Sequence, residues 1–146
     1  MILSPDFSKF IESLNGNDVR YLVVGGYAVA LHGHPRYTKD MDVWIGRDED
    51  NAARMIEALE DFGFGSLGLE AGDFLTPDRI IQLGYAPNRI DILTTLAGVE
   101  FDVCYESRVE VDLGESAANF INLENLKRNK RASGRYQDLA DLEMLP

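Results

Sequence analysis

The sequence holds one cysteine, Cys104, one tryptophan, Trp44, and two histidines, His32 and His34. A single cysteine excludes an internal disulfide framework and a cysteine-based zinc site. Long apolar runs are missing as well. The longest uncharged one is Tyr21–Leu31, well short of the ~20 residues that a membrane helix needs. Met1–Phe10 lacks a basic start followed by an apolar stretch, so no signal peptide is expected and the chain reads as soluble and cytoplasmic. Basic residues are scarce: 14 Lys and Arg stand against 25 Asp and Glu, a formal net charge of -11. Such a chain is repelled by nucleic acid overall, and no helix-turn-helix pattern offsets that, so a DNA-binding protein is a poor fit.

What is present is ordinary globular chemistry. The 146 residues are 45% hydrophobic and 27% charged, which fits one domain over 1–146 and excludes disorder, collagen and coiled coil. Ser4-Pro5-Asp6 reads as a helix start, with Phe7, Phe10, Ile11 and Leu14 at helical spacing and Asn15-Gly16-Asn17 as the stop. Tyr21–Val24 and Met41–Ile45 read as short strands, and Ala28–His32 as a short helix between them. Asp48-Glu49-Asp50 opens a second long helix striped by Met55, Ile56, Leu59 and Phe62, and Gly63 ends it. Gly63–Gly72 is expected to be a loop. Arg79–Tyr85 and Arg89–Leu93 read as strands joined through Pro87-Asn88. Val99–Tyr105 fits helix or strand equally. Arg108–Leu113 and Ala118–Ile121 read as strands, and Leu123–Ala132 and Tyr136–Leu145 as helices broken at Ser133-Gly134. Strands and helices mixed in this way predict an α/β or α+β domain.

The charge is unevenly placed. From residue 127 onward five basic residues face three acidic ones, and Lys127, Arg128, Lys130, Arg131 and Arg135 crowd together. They are either cations suited to the end of a helix or a basic rim for a polyanionic ligand.

Chemistry concentrates in Val24–Ile45. Gly25 and Gly26 end a strand and open a helix, so a phosphate can approach their amides and the helix N-terminus. Asp40 and Asp42 are two apart on a strand and share a face. Adjacent carboxylates repel unless a cation or proton sits between them. A divalent metal meets that need and then organises phosphoryl transfer; a solvated strand end is the plainer alternative. Asp91 lies in the otherwise apolar Arg89–Leu93, where a buried carboxylate needs a partner. If that strand lies beside Val43–Ile45, Asp91 completes a triad. His32 follows an apolar helical run and reads as structural, His34 sits in a loop, and Cys104 reads as a small buried hydrophobe. Trp44 is expected to pack in the core.

These residues resemble the signature of the nucleotidyltransferase (DNA polymerase β-like) superfamily: a hydrophobic residue and Gly-Gly, a short spacer, then Asp-x-Asp between hydrophobic residues, with a third acid on a later strand. Val24-Gly25-Gly26, the spacer 27–39, Asp40-Met41-Asp42-Val43 and Asp91 follow it. Gly25-Gly26-Tyr27-Ala28, His32-Gly33 and Arg36-x-Thr38-x-Asp40-x-Asp42 are similar to small AbiEii-toxin-like proteins of bacteria and archaea. Lys130, Arg135, Asp138 and Asp141 match the C-terminal pattern of that group, whereas Gln137 stands where a basic residue is expected.

The resemblance implies a mixed β-sheet with flanking helices and a C-terminal helical segment. It implies an enzyme that moves an NMP group from an NTP to an acceptor hydroxyl on tRNA, a protein or a small molecule. A toxin paired with an antitoxin is the implied setting. Asp40 and Asp42 would hold two Mg²⁺ (or Mn²⁺) ions, with Asp91 as a further ligand and candidate base. Gly25 and Gly26 would cradle the outer phosphates. Thr38, Lys130 and Arg135 would assist in nucleotide binding, and Arg36 would either do so or form a salt bridge. If Lys130 faces the cleft, removing it should weaken nucleotide binding at little cost in stability. The competing class is a non-catalytic nucleotide-binding or protein-interaction module on the same scaffold.

Overall fold

The computed structural model describes residues 3–33, 38–85, 88–114 and 116–146. Among these residues six strands and six α-helices follow one another as α1 (Pro5–Gly16), β1 (Tyr21–Val24), α2 (Gly25–His32), β2 (Met41–Ile45), α3 (Glu49–Phe62), β3 (Ile80–Leu83), β4 (Ile90–Leu93), α4 (Phe101–Glu106), β5 (Val109–Asp112), β6 (Ala117–Phe120), α5 (Leu123–Ser133) and α6 (Tyr136–Met144). The helix limits follow local chemistry. Ser4 caps α1 through its hydroxyl, Asp48 caps α3 by accepting from the Asn51 N–H, and Gly63 closes α3 in the left-handed region.

The strands form one mixed sheet in the order β3-β4-β2-β1-β6-β5. β1 and β2 run antiparallel at its centre. β4 joins β2, and β6 joins β1, in parallel. β3 and β5 complete the edges as antiparallel partners of β4 and β6. Strand alternation then sorts the side chains. Tyr21, Val23, Val43, Ile45 and Ile92 face one way. Leu22, Val24, Asp42, Trp44, Asp91 and Leu93 face the other.

The first face carries α1, since the Tyr21 hydroxyl donates to the Asn15 side chain at 2.9 Å. Phe7, Phe10, Ile11 and Leu14 of α1 and Met55 and Leu59 of α3 are all buried, so these two helices and the sheet enclose the main core. The same hydroxyl accepts from the Asn119 N–H of β6. Burial, above all, pushes its pKa up to about 12. On the second face Trp44 meets Phe101 of α4 edge-to-face, with ring centroids 5.2 Å apart.

The ambiguous Val99–Tyr105 stretch is settled as helix over Phe101–Glu106. Cys104 is buried there, as expected, and burial pushes its thiol up to about 11. The expected Gly63–Gly72 loop contains short 3₁₀ turns at Gly65–Leu67 and Ala71–Phe74, the second of which buries Phe74. Arg79–Tyr85 contracts to a strand over Ile80–Leu83, and Pro87 of the expected turn lies outside the described residues.

One buried polar group ties the start of α3 to the sheet. Asn51 accepts from the Arg20 N–H at 2.7 Å and donates to the carbonyls of Arg20 and Gly46 at 3.0 and 2.9 Å. Its partners are backbone groups that water does not reach easily, and removing it leaves them unsatisfied. Asn51→Ala should therefore lower unfolding stability by about 3 kcal/mol. Urea denaturation checks this.

Candidate active site

The second face of the sheet opens into a cleft of about 330 Å³ whose lining includes Gly25, Gly26, Asp42, Asp91, Lys130, Arg135 and Gln137. Its floor is set by strand register. Asp42 of β2 is the register partner of Asp91 of β4 on one side and of Val24 of β1 on the other. Asp42 and Asp91 therefore stand side by side, and Asp40 lies one residue before β2. Of the three acids read from the sequence, Asp42 and Asp91 line this cleft, and Arg89 links Asp91 to Asp40.

Gly25 makes this packing feasible. It has a φ of +66°, and a Cβ there would lie 2.2 Å from Asp42 Oδ2. Any side chain would be strained in conformation and would collide with the carboxylate. The chain turns at Gly25 from β1 into α2, whose N-cap residue, Val24, supplies no side-chain oxygen. The first amides of α2 are thus left without a side-chain cap beside Asp42.

The electrostatics follow. Burial, then Asp91, then Asp40 push the Asp42 carboxyl up to about 6, against weaker pulls from Lys130 and Arg89. Arg89 offsets the other two acids. Its Nε lies 2.8 Å from Asp91 Oδ1 and its Nη2 3.0 Å from Asp40 Oδ2. Asp40 Oδ1 is buried with no hydrogen-bond partner. Among the described residues no three His, Cys, Asp or Glu side chains cluster closely enough to cage a metal by themselves. Mg²⁺, however, is usually held by one or two carboxylates together with substrate phosphates. An orphaned Asp40 oxygen beside a destabilised Asp42 carboxylate fits that mode.

The C-terminal cations differ from the expectation. Lys130 lines the cleft but is only 7% exposed, and its Nζ sits 3.2 Å from Asp138 and 3.1 Å from Asp141. Both bridges are buried. Burial alone would raise the Asp138 carboxyl, but hydrogen bonds from Arg135 and Lys130 outweigh it and hold the group below its usual range. Gln137 donates to Asp141 at 2.9 Å and so joins this network in place of the expected basic residue. Arg135 is 76% exposed while bonding Asp138 at 2.8 Å. It is the cation at the mouth.

Thr38 donates to the Asp40 carbonyl at 3.3 Å, which braces the approach to β2 and does not put the hydroxyl in the cleft lining. His32 Nε2 lies 2.7 Å from the Ile121 carbonyl and is structural, as read. Arg36 and His34 lie outside the described residues. Arg89 was given no role by the sequence reading. Its position two residues before Asp91 on a strand, hence on the same face, was the available signal.

A larger cavity of about 460 Å³ lies at the opposite end of the sheet, beside Trp44 and Phe101. Its Arg20 is already paired with Asp48 and Asp102, and it contains none of the clustered acids. Gly25, Gly26, Asp42 and Asp91 all line the smaller cleft.

A protein-family model described as aminoglycoside-2''-adenylyltransferase matches residues 6–112. That span runs from α1 to the end of β5 and contains Gly25, Gly26 and all three acids. No curated protein matches the chain.

Two outcomes follow from the charges. A carboxyl raised to about 6 binds its proton more tightly folded than unfolded, so its contribution is complete below about pH 4 and is lost as pH rises through 6. Two pKa units amount to roughly 3 kcal/mol, which solvent screening of this half-buried group trims. Asp42→Asn should be about 2 kcal/mol more stable than wild type at pH 8, with the gap closing toward pH 4. Melting curves across that range check it. Lys130→Ala strands two buried carboxylates and should cost about 3–5 kcal/mol, contrary to the sequence expectation of little loss. Urea unfolding of Lys130→Ala beside wild type reads this directly.

Proposed function

Because the chain belongs to the aminoglycoside-2''-adenylyltransferase family, we propose that it is a metal-dependent nucleotidyltransferase that moves an NMP group, with AMP the first to be tried, onto an acceptor hydroxyl. The observation that carries this reading is the register pairing of Asp42 with Asp91, beside Gly25 and the amides of α2 that no side chain caps.

In this reading the amides of Gly25 and Gly26 and the N-terminus of α2 receive the outer phosphates. Arg135, exposed at the mouth, adds a cation to the triphosphate. Lys130 holds α6 in place through Asp138 and Asp141 and lends the cleft positive potential. Asp40 and Asp42 would hold Mg²⁺ or Mn²⁺, which when bound would neutralise the triphosphate and assist its displacement. Asp91 is the carboxylate for the acceptor: it takes the hydroxyl proton as the oxygen bonds to the α-phosphorus and pyrophosphate leaves.

The acceptor named in the family description is an aminoglycoside, a cationic polyol, and the chain's net charge of -11 suits a cationic small molecule better than tRNA. The AbiEii-like resemblance extends the reading to a toxin countered by an antitoxin. One observation favours the second reading, a non-catalytic module: Arg89 pairs with Asp40 and Asp91, so the acids are partly balanced with no metal.

Incubation with labelled ATP and the other NTPs, Mg²⁺ or Mn²⁺, and either an aminoglycoside panel or cell extract separates the two. Catalysis predicts a labelled acceptor, with at least about a hundredfold loss in Asp42→Asn and in EDTA. Nucleotide binding without any labelled product sinks the enzymatic reading. A toxin role also requires growth arrest by wild type and none by Asp42→Asn.

A further inference from the structure

Arg89 lies one residue before β4 and two before Asp91, and the two side chains bond each other. The backbone fixes Arg89 level with Asp40, because the Met41 N–H donates to the Arg89 carbonyl at 3.1 Å. The guanidinium reaches both acids at once. Nε and Nη2 donate to the two Asp91 oxygens at 2.8 and 3.1 Å, and Nη2 lies 3.0 Å from Asp40 Oδ2. A planar fork suits this two-sided grip, and the charge on it is permanent. Lys130 does not duplicate the role, since its ammonium lies between Asp138 and Asp141. Asp42 feels Arg89 less than it feels Lys130.

We propose that Arg89 is a positioning residue, the built-in counter-ion of the acid cluster, which keeps Asp40 and Asp91 together in the metal-free protein and competes with a divalent cation for them. The inference rests on the metal-dependent reading above. Asp42 lines the cleft and meets a cation first, whereas Asp40 Oδ1 is unpartnered but buried. Asp91 becomes a ligand only as Arg89 lets go of it. The protein thus keeps its acids aligned without metal, and its metal affinity is lower than three bare carboxylates would give.

Manganese titration of the purified chain without nucleotide, followed by electron paramagnetic resonance and by melting temperature, tests this. Arg89→Gln should bind Mn²⁺ about tenfold more tightly than wild type, because a cation in contact with the site is gone. Its melting temperature should be lower without metal and should rise further when Mn²⁺ is added. Arg89→Lys keeps the charge and should bind Mn²⁺ within about twofold of wild type. Equal affinity in all three proteins, or equal gains in Lys and Gln, overturns the role of Arg89 and leaves the metal reading intact. No Mn²⁺ binding by any of them sinks the metal reading, and the proposal with it. On wild type alone, the Arg89 Nε–H resonance should move as Mg²⁺ is added. A signal unmoved at saturating Mg²⁺ overturns the proposal even if Arg89→Gln does not fold.

Discussion

Two carboxylates in register on neighbouring parallel strands repel each other, and much of the cleft is built to hold Asp42 and Asp91 there. The strand ladder fixes their separation, so the repulsion cannot be relieved by splaying the backbone. It is met instead by charge and by protonation. Arg89 grips Asp91 and Asp40 from the outer side. Lys130 contributes from above, and Asp42 retains a proton to higher pH than an ordinary carboxyl. Gly25 completes the arrangement by giving up its side chain where the Asp42 oxygen needs the space.

The C-terminal helices illustrate how a cation can serve two neighbours. Lys130 touches two buried acids of α6 and also faces the cleft. Its charge therefore stabilises the α5–α6 contact and biases the potential at Asp42 together. A buried pair of this kind is costly to break because the remaining partners cannot be resolvated. Arg135 bonds the same Asp138 from solvent and keeps the freedom to meet an incoming anion.

The sequence was most informative where one residue spacing has one geometric consequence. Gly25-Gly26 at a strand end translates directly into the turn that is found, and Asp42 takes its expected place on β2, whereas Asp40 stops one residue short of that strand. Asp91 was readable as a charge in an apolar strand, though only the pairing of β2 with β4 shows which face it joins. Periodicity located α1, α3 and most strands. Val99–Tyr105 resisted because a short apolar run fits either state until packing, here Phe101 against Trp44, selects one. Lys130 was misjudged for a related reason: a lysine in a cationic run looks solvated, and only the return of α6 buries it. Arg89 passed unnoticed because only the pairing of β2 with β4 brings Asp40 within its reach as well as Asp91.

The pairing of β6 with β1 also governs when the cleft can exist. Val23 and Phe120 are neighbours in space but lie nearly a hundred residues apart in the chain. Contacts of such high order form late, since much chain entropy is lost before they reward it. α5 and α6 follow β6, so Lys130 and Arg135 reach the acids only after that strand has docked. During synthesis the amino-terminal part emerges first and carries Gly25, Asp42 and Asp91 with Arg89 but without Lys130 and Arg135. A nascent chain therefore holds a more anionic edge than the finished fold, which gains its last two cations only when α5 and α6 arrive.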